Sequence, residues 1–328
     1  MIRALVLGAM TLLAAIVLAT MYGTESVSMA RVFFEPNSLD RMIVVEARLP
    51  RVLLGAVAGG GLAAVGVAFQ AILRNPLAEP YVLGVSGGAA LGATIAILFG
   101  LSGATLLGAA TVPLAALLGG LVSTAVVYAL ARATGAFSGT SILLAGVVVN
   151  AIASAGITFL KTLVSATKAQ ELLYWLMGFL DVPSTGALVF VAVYVALGGG
   201  ILLFDAGRLN LLALGQEPAK NLGIDVRSLE RRTFFACSMV VGAIVSITGL
   251  IGFIGLIVPH ALRRIFGPDV RIGLPASFMM GGATLVLCDM VSRTLFRFLH
   301  TEPPVGAVTA LIGGPLFLLL LRRRAPLA

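Results

Sequence analysis

Long stretches without a single Asp, Glu, Lys or Arg alternate along this chain with short charged ones. Residues 4–24, 52–73, 133–160, 182–204 and 303–321 contain none of those four residue types. Each supplies about the 20 apolar residues that a helix needs to cross a hydrocarbon core roughly 30 Å thick. Two more uncharged stretches, 80–131 and 233–262, are too long for one crossing. The glycines from Gly100 to Gly103 divide the first into spans near 81–99 and 107–130. The second reads as a full span ending near Gly249, then a shorter helix through Pro259. A further span over about 272–296 carries Asp289 and Arg293 towards its end. The pattern predicts an all-α polytopic membrane protein of about ten transmembrane helices, with residues 1–328 forming one membrane domain.

Three polar stretches interrupt this pattern. Tyr22 to Arg51 joins the first two spans. Ser165 to Ser184 begins with polar residues and continues as LLYWLMGFL, which predicts a short amphipathic helix at the interface, with Tyr174 and Trp175 at headgroup level. Asp205 to Arg232 is densely charged and reads either as a solvated connector or as a docking surface. Glycines recur at helical spacing in Gly55-x-x-x-Gly59, Gly84-x-x-x-Gly88 and Gly88-x-x-x-Gly92. Lipid gives helices no hydrophobic reason to associate, so close backbone approach through small residues must supply the packing.

Composition agrees: 59% of the residues are hydrophobic and 11% charged, where soluble domains carry about 25% charged residues. The net charge of +8 is a topology signal. With a cytoplasmic N-terminus, fourteen of the Lys and Arg residues fall inside and eight outside, as cytoplasmic loops require. Both termini are then cytoplasmic. No basic stripe is interleaved with aromatics, so nucleic acid is not an expected partner. Cys237 and Cys288 lie in apolar segments and read as small buried hydrophobes.

Catalytic patterns fail on context. Gly84-Val-Ser-Gly-Gly88 fits a nucleophile elbow, which needs a strand before it and Asp and His partners on a soluble sheet. Ser165-Ala-Thr-Lys168 lacks the companion motifs of its enzyme class. The only histidines are His260 and His300, and no His or Cys cluster has metal-ligand spacing, so no metal or other cofactor is expected in the chain. There is no phosphate-binding G-x-x-x-x-G-K-[ST] loop and there are only three lysines, so the chain is not expected to be an enzyme or to hydrolyse ATP. Nor does an isolated acid sit in mid-span, the usual mark of ion coupling. Asp289, four residues before Arg293, reads as its helical ion-pair partner. Energy then comes from another chain, or transport is passive or ion-coupled.

Several blocks carry a resemblance: Arg48-Leu-Pro-Arg51, Gln70 to Pro80, Leu83 to Ala89, Leu143 to Gly146, Tyr174 to Gly178, Leu212 to Gly215, Gly252 to His260, Pro304 to Gly306 and Thr309 to Pro315. Together they resemble the ABC permeases that import ferric siderophores, haem and cobalamin. The resemblance implies the type II importer permease fold, with ten spans and both termini inside, in the cell's inner membrane. It implies a permease dimer, most simply a homodimer, on two ATPase subunits that bind the ATP and Mg, and a periplasmic or lipid-anchored substrate-binding protein. An ion-coupled secondary transporter is the alternative.

By position within the matching motifs, Arg48, Arg51 and Arg293 correspond to outer-face arginines that pair with acids on the binding protein. Exposed cations would steer such a partner and fix its register; without the resemblance, Arg48 and Arg51 read as snorkelling anchors of the second span. Leu212, Ala213, Leu214, Gly215, Glu217, Ala219 and Gly223 resemble the coupling helix that lies in a groove of each ATPase. Thr140 and Ser141 match the cytoplasmic gate, and Asn75, Pro76 and Pro80 shape an inner turn between the second and third spans. His260 reads as a structural hydrogen-bonding residue.

Overall fold

A computed structural model of the chain describes residues 2–81, 83–100, 106–133 and 139–322. Among these residues the secondary structure is entirely helical. Helix α1 (Ile2–Met21) is followed by two short helices, α2 (Met29–Phe34) and α3 (Leu39–Met42), and a π-helical turn over Ile43–Arg48 leads into α4 (Leu49–Ile72). Then come α5 (Val85–Leu98), α6 (Leu106–Ala133), α7 (Gly139–Thr162), α8 (Ala166–Met177) and α9 (Thr185–Ala213). The chain continues through α10 (Gln216–Asn221), α11 (Val226–Thr248), α12 (Ile254–Phe266), α13 (Val270–Leu299) and α14 (Val305–Arg322).

Among the described residues, seven helical stretches are long and apolar enough to span a membrane: α1, the continuous run from Leu39 through α4, and α6, α7, α9, α11 and α13. The shorter α5, α12 and α14 lie where the other three spans were expected. The amphipathic helix expected before Ser184 is α8. The charged stretch after Asp205 is mostly helix, because α9 continues to Ala213 and α11 begins at Val226.

The core is built around α4, in which nearly every residue from Val52 to Ile72 is buried. It packs against α1, α9, α11, α12 and α13. The sequence allows this because α4 is rich in Gly and Ala. A Cβ on Gly59 would meet the Gly281 carbonyl of α13, and one on Gly66 would meet the Gly255 carbonyl of α12. The same device joins α5 to α6, where Gly88 and Gly92 face Ala115 and Gly119. Packing through small residues, expected from the glycine spacing, is therefore what Gly59, Gly88 and Gly92 do.

Two of the helices are short. At 1.5 Å per residue, the 14 residues of α5 and 13 of α12 extend only about 20 Å each. Each starts after a residue in the left-handed region, Gly84 (φ 87°) and Phe253 (φ 68°). The span expected at 81–99 begins late: Glu79 and Pro80 lie against the start of α12, and helix α5 starts only at Val85.

Candidate functional site

At one end of the bundle the structure brings Arg48, Arg51 and Arg293 together around an open cavity of about 460 Å³, which all three line with Glu25, Glu46 and Asp181. The π-helical turn re-aims the chain just before α4, and π turns recur where helices carry function. Arg48 is 5% exposed and donates to the carbonyls of Thr20, Met21 and Glu25. Arg293 is 3% exposed; its Nε donates to Asp289 Oδ2 at 2.8 Å and its Nη2 to the Ala19 carbonyl at 3.0 Å. From α4, Arg51 reaches Asp289 Oδ1 at 2.9 Å, Glu302 at 3.1 Å and Asp181 at 3.8 Å.

Asp289 is thus Arg293's partner, as expected from their spacing, and also Arg51's. The sequence reading expects exposed cations here, and the structure buries Arg48 and Arg293. The physical reason is local: the last carbonyls of α1 and the carboxylate on α13 give each guanidinium more acceptors inside than at the surface. Asp181 and Glu302 were not singled out from the sequence. The available signal was their position, each an isolated acid at the edge of an uncharged span.

The other three residue sets share the opposite end. Leu77 N donates to Asn75 Oδ1 at 2.9 Å, which closes a turn after α4, and Pro80 packs against Gly255. Gly139 lies against the Leu73 carbonyl, so Thr140 (exposed) and Ser141 (half-buried) start α7 beside that turn. Arg74 extends towards Gly215. Gly215 (φ 134°) and Gly223 (φ 80°) bracket α10, whose Glu217 pairs with Lys220 at 2.7 Å on the exposed face. Leu212 and Ala219 are fully buried and anchor this short helix, while Ala213, Leu214, Glu217 and Gly223 are exposed. Close by, Asp269 caps α13; the Asn210 amide and the Arg271 N–H hold its carboxyl below the usual carboxylate range.

Sequence reasoning missed a half-buried acid. Glu79, in the turn segment, accepts a hydrogen bond from the Phe253 N–H at 2.7 Å. Phe253 precedes α12, whose far end at Phe266 is 13 residues away, or about 20 Å. Glu79 thus meets α12 at its start, a helix length from Phe266, where its carboxyl accepts from the N-cap amide at the positive end of the helix dipole. A motif that reads as a surface turn conceals this role. His260 is buried in α12. Among the described residues no group of His, Cys, Asp and Glu has the arrangement of a metal site.

Comparison with known proteins follows the same lines. Residues 11–323 match the profile of the FecCD transport family. The chain is 43% identical over 284 residues to the cobalamin import system permease protein BtuC of Halobacterium salinarum, covering 87% of this chain and 74% of that protein. It is 37% identical over 298 residues to the hemin transport system permease protein HmuU of Yersinia pestis, covering 90% and 88%. Among solved structures, an inward-facing metal-chelate type ABC transporter superimposes with a TM-score of 0.88 at 32% identity, covering 98% of this chain and all of that one.

Proposed function

Because this chain belongs to the FecCD transport family, we propose that it is the permease subunit of an ATP-driven importer that carries a bulky metal chelate by alternating access. The match to an inward-facing metal-chelate transporter over the whole length is the observation that carries this reading. The chain's own sequence contains no nucleotide-binding loop, so two partner ATPase subunits bind ATP and Mg. A second copy of the permease completes the pathway. The positive-inside bias favours an inner-membrane orientation with both termini cytoplasmic, which puts α10 inside and the arginine cavity outside.

In that orientation α10 is the coupling element. It is short, bracketed by two glycines, anchored by buried Leu212 and Ala219, and offers Leu214 and Glu217 to a docked ATPase. Thr140 and Ser141, beside it, form the cytoplasmic gate with small polar side chains that exclude cargo without gripping it. The cavity around Arg48, Arg51 and Arg293 receives acidic side chains of a substrate-binding protein. The burial of two of these arginines means that docking draws on a preformed pocket more than on long-range steering. Ferric siderophore or haem is the favoured cargo class, with cobalamin close behind; the names of the two relatives span both chemistries.

Reconstitution into vesicles with the ATPase and binding protein tests the reading. Uptake of the chelate is expected only with ATP inside the compartment that holds the ATPase; uptake driven by an ion gradient without nucleotide overturns it. Substituting Glu217 and Gly223 with bulky apolar residues is expected to leave ATP hydrolysis running while uptake falls at least tenfold. A second reading, an ion-coupled carrier, is favoured by one observation, the half-buried acid Glu79 at the start of α12. The vesicle experiment separates the two, since only the carrier transports without an ATPase.

A further inference from the structure

Helix α9 carries three consecutive glycines, Gly198 to Gly200, in mid-span. Glycine inside a helix costs about 1 kcal/mol relative to alanine, so each calls for a reason. Gly198 has one: a Cβ there would collide with Val240 of α11. A Cβ on Gly199 or Gly200 would meet nothing within 4 Å. Gly200 instead lines both of two open apolar grooves beside α9, and Gly199 lines one of them. One, of about 360 Å³, lies between α9, α4 and α13 and is walled by Val57, Leu203, Leu274 and Phe278. The other, of about 450 Å³, lies between α9 and α11 and is walled by Leu197, Ile201, Phe204 and Phe235. They share Ala196 and Gly200, so no large side chain separates them there. Both volumes fall in the range of roughly 300–1,000 Å³ typical of ligand clefts.

Both grooves run towards cations at the same end. The α11 groove is lined at that end by Asp205 and Arg232. Asp205 is 1% exposed; its Oδ1 accepts from Arg208 at 2.6 Å and Arg232 at 3.2 Å, while its buried Oδ2 has no hydrogen-bond partner. Past Leu274, the other groove leads to Arg271, whose guanidinium lies over Gly207. Two arginines on one carboxylate leave a net positive charge at the groove mouth, and both side chains are close to half exposed. Asp205 lies 20 residues from Thr185, the start of α9, or about 30 Å along the helix. That is one hydrocarbon thickness, so the arginines stand at headgroup level and the grooves lie within the adjoining leaflet.

We propose that this face binds one anionic phospholipid, its two acyl chains straddling α9 at Gly199 and Gly200 and its phosphate on Arg208 and Arg232. The charge at the mouth selects a lipid with net negative charge. Asp205 is a positioning residue that holds the two guanidinium groups at the groove mouth. The occupant is a lipid because Val193, Leu197, Phe204 and Phe235 around the grooves are exposed apolar side chains at membrane depth.

The test uses the full-length chain in its assembled transporter, titrated in detergent with phosphatidylglycerol or phosphatidylcholine of equal chain length and read by native mass spectrometry. One phosphatidylglycerol per permease is expected, held at least tenfold more tightly than phosphatidylcholine. Replacing both Arg208→Gln and Arg232→Gln is expected to abolish that preference. Gly200→Leu, whose Cβ meets nothing within 4 Å, is expected to remove retention of either lipid while the melting temperature holds. Equal retention of the two lipids by the unaltered chain overturns the proposal, as does undiminished phosphatidylglycerol retention in Gly200→Leu. A change of subunit stoichiometry in Gly200→Leu also overturns it, since the grooves would then be a protein contact.

Discussion

The two ends of the bundle each hold one buried aspartate gripped by two arginines, and they differ in what surrounds the arginines. At the α13 end, Asp289 pairs with Arg51 and Arg293, whose side chains are 15% and 4% exposed. At the α9 end, Asp205 pairs with Arg208 and Arg232, at 42% and 43%. The carboxylates are equally buried, at 1% each. In the first cluster the charges have given up nearly all their water and depend on each other, on Glu302 and on main-chain carbonyls. In the second, the arginines keep water on one side. One arrangement closes a joint between α1, α4 and α13; the other leaves a cationic surface available to a ligand. Residue type and pairing are the same, and the exposure of the arginines is what differs.

Removing one partner of a buried pair leaves an uncompensated charge. Asp289→Asn is therefore expected to destabilise the permease by about 3–5 kcal/mol, seen as a lower melting temperature in detergent and poor recovery from membranes. An unchanged melting temperature would erase the distinction between the two ends. Arg51→Lys keeps the charge but loses the planar fork that serves Asp289 and Glu302 together; the expected loss is about 1–3 kcal/mol, the value of charge-assisted hydrogen bonds. Asp205→Asn frees two arginines that rehydrate easily, and the expected change is about 1 kcal/mol. Arg208→Gln alone is expected to fall near or below about 0.5 kcal/mol. Salt sharpens the contrast. Raising ionic strength to 1 M, where the screening length is about 3 Å, is expected to shrink the effect of Asp205→Asn and to leave that of Asp289→Asn in place.

The spans were legible in the sequence because an uncharged run of bilayer length, repeated along the chain, leaves too little polar surface to face water. So was helix packing through Gly59, Gly88 and Gly92, since only close contact justifies small residues at four-residue spacing. The breaks were less legible. The uncharged run from Pro80 on extends straight into α5, and hydropathy does not report where helical hydrogen bonding starts. Arg48, Arg51 and Arg293 were marked as a set by resemblance alone, and the structure shows that they meet. Their burial was hidden because their acceptors, Asp289, Glu302 and the carbonyls of α1, come from segments far apart in the chain. Glu79 was missed for a related reason: its partner is a main-chain amide 174 residues away, which no local pattern can announce.

That Glu79 seam bears on how the bundle moves. If α12 slid away from the segment after α4, a carboxylate and an amide would be stripped of each other in oil, and only an inrush of solvent could relieve them. The seam therefore ties any parting of α12 from that segment to the entry of water.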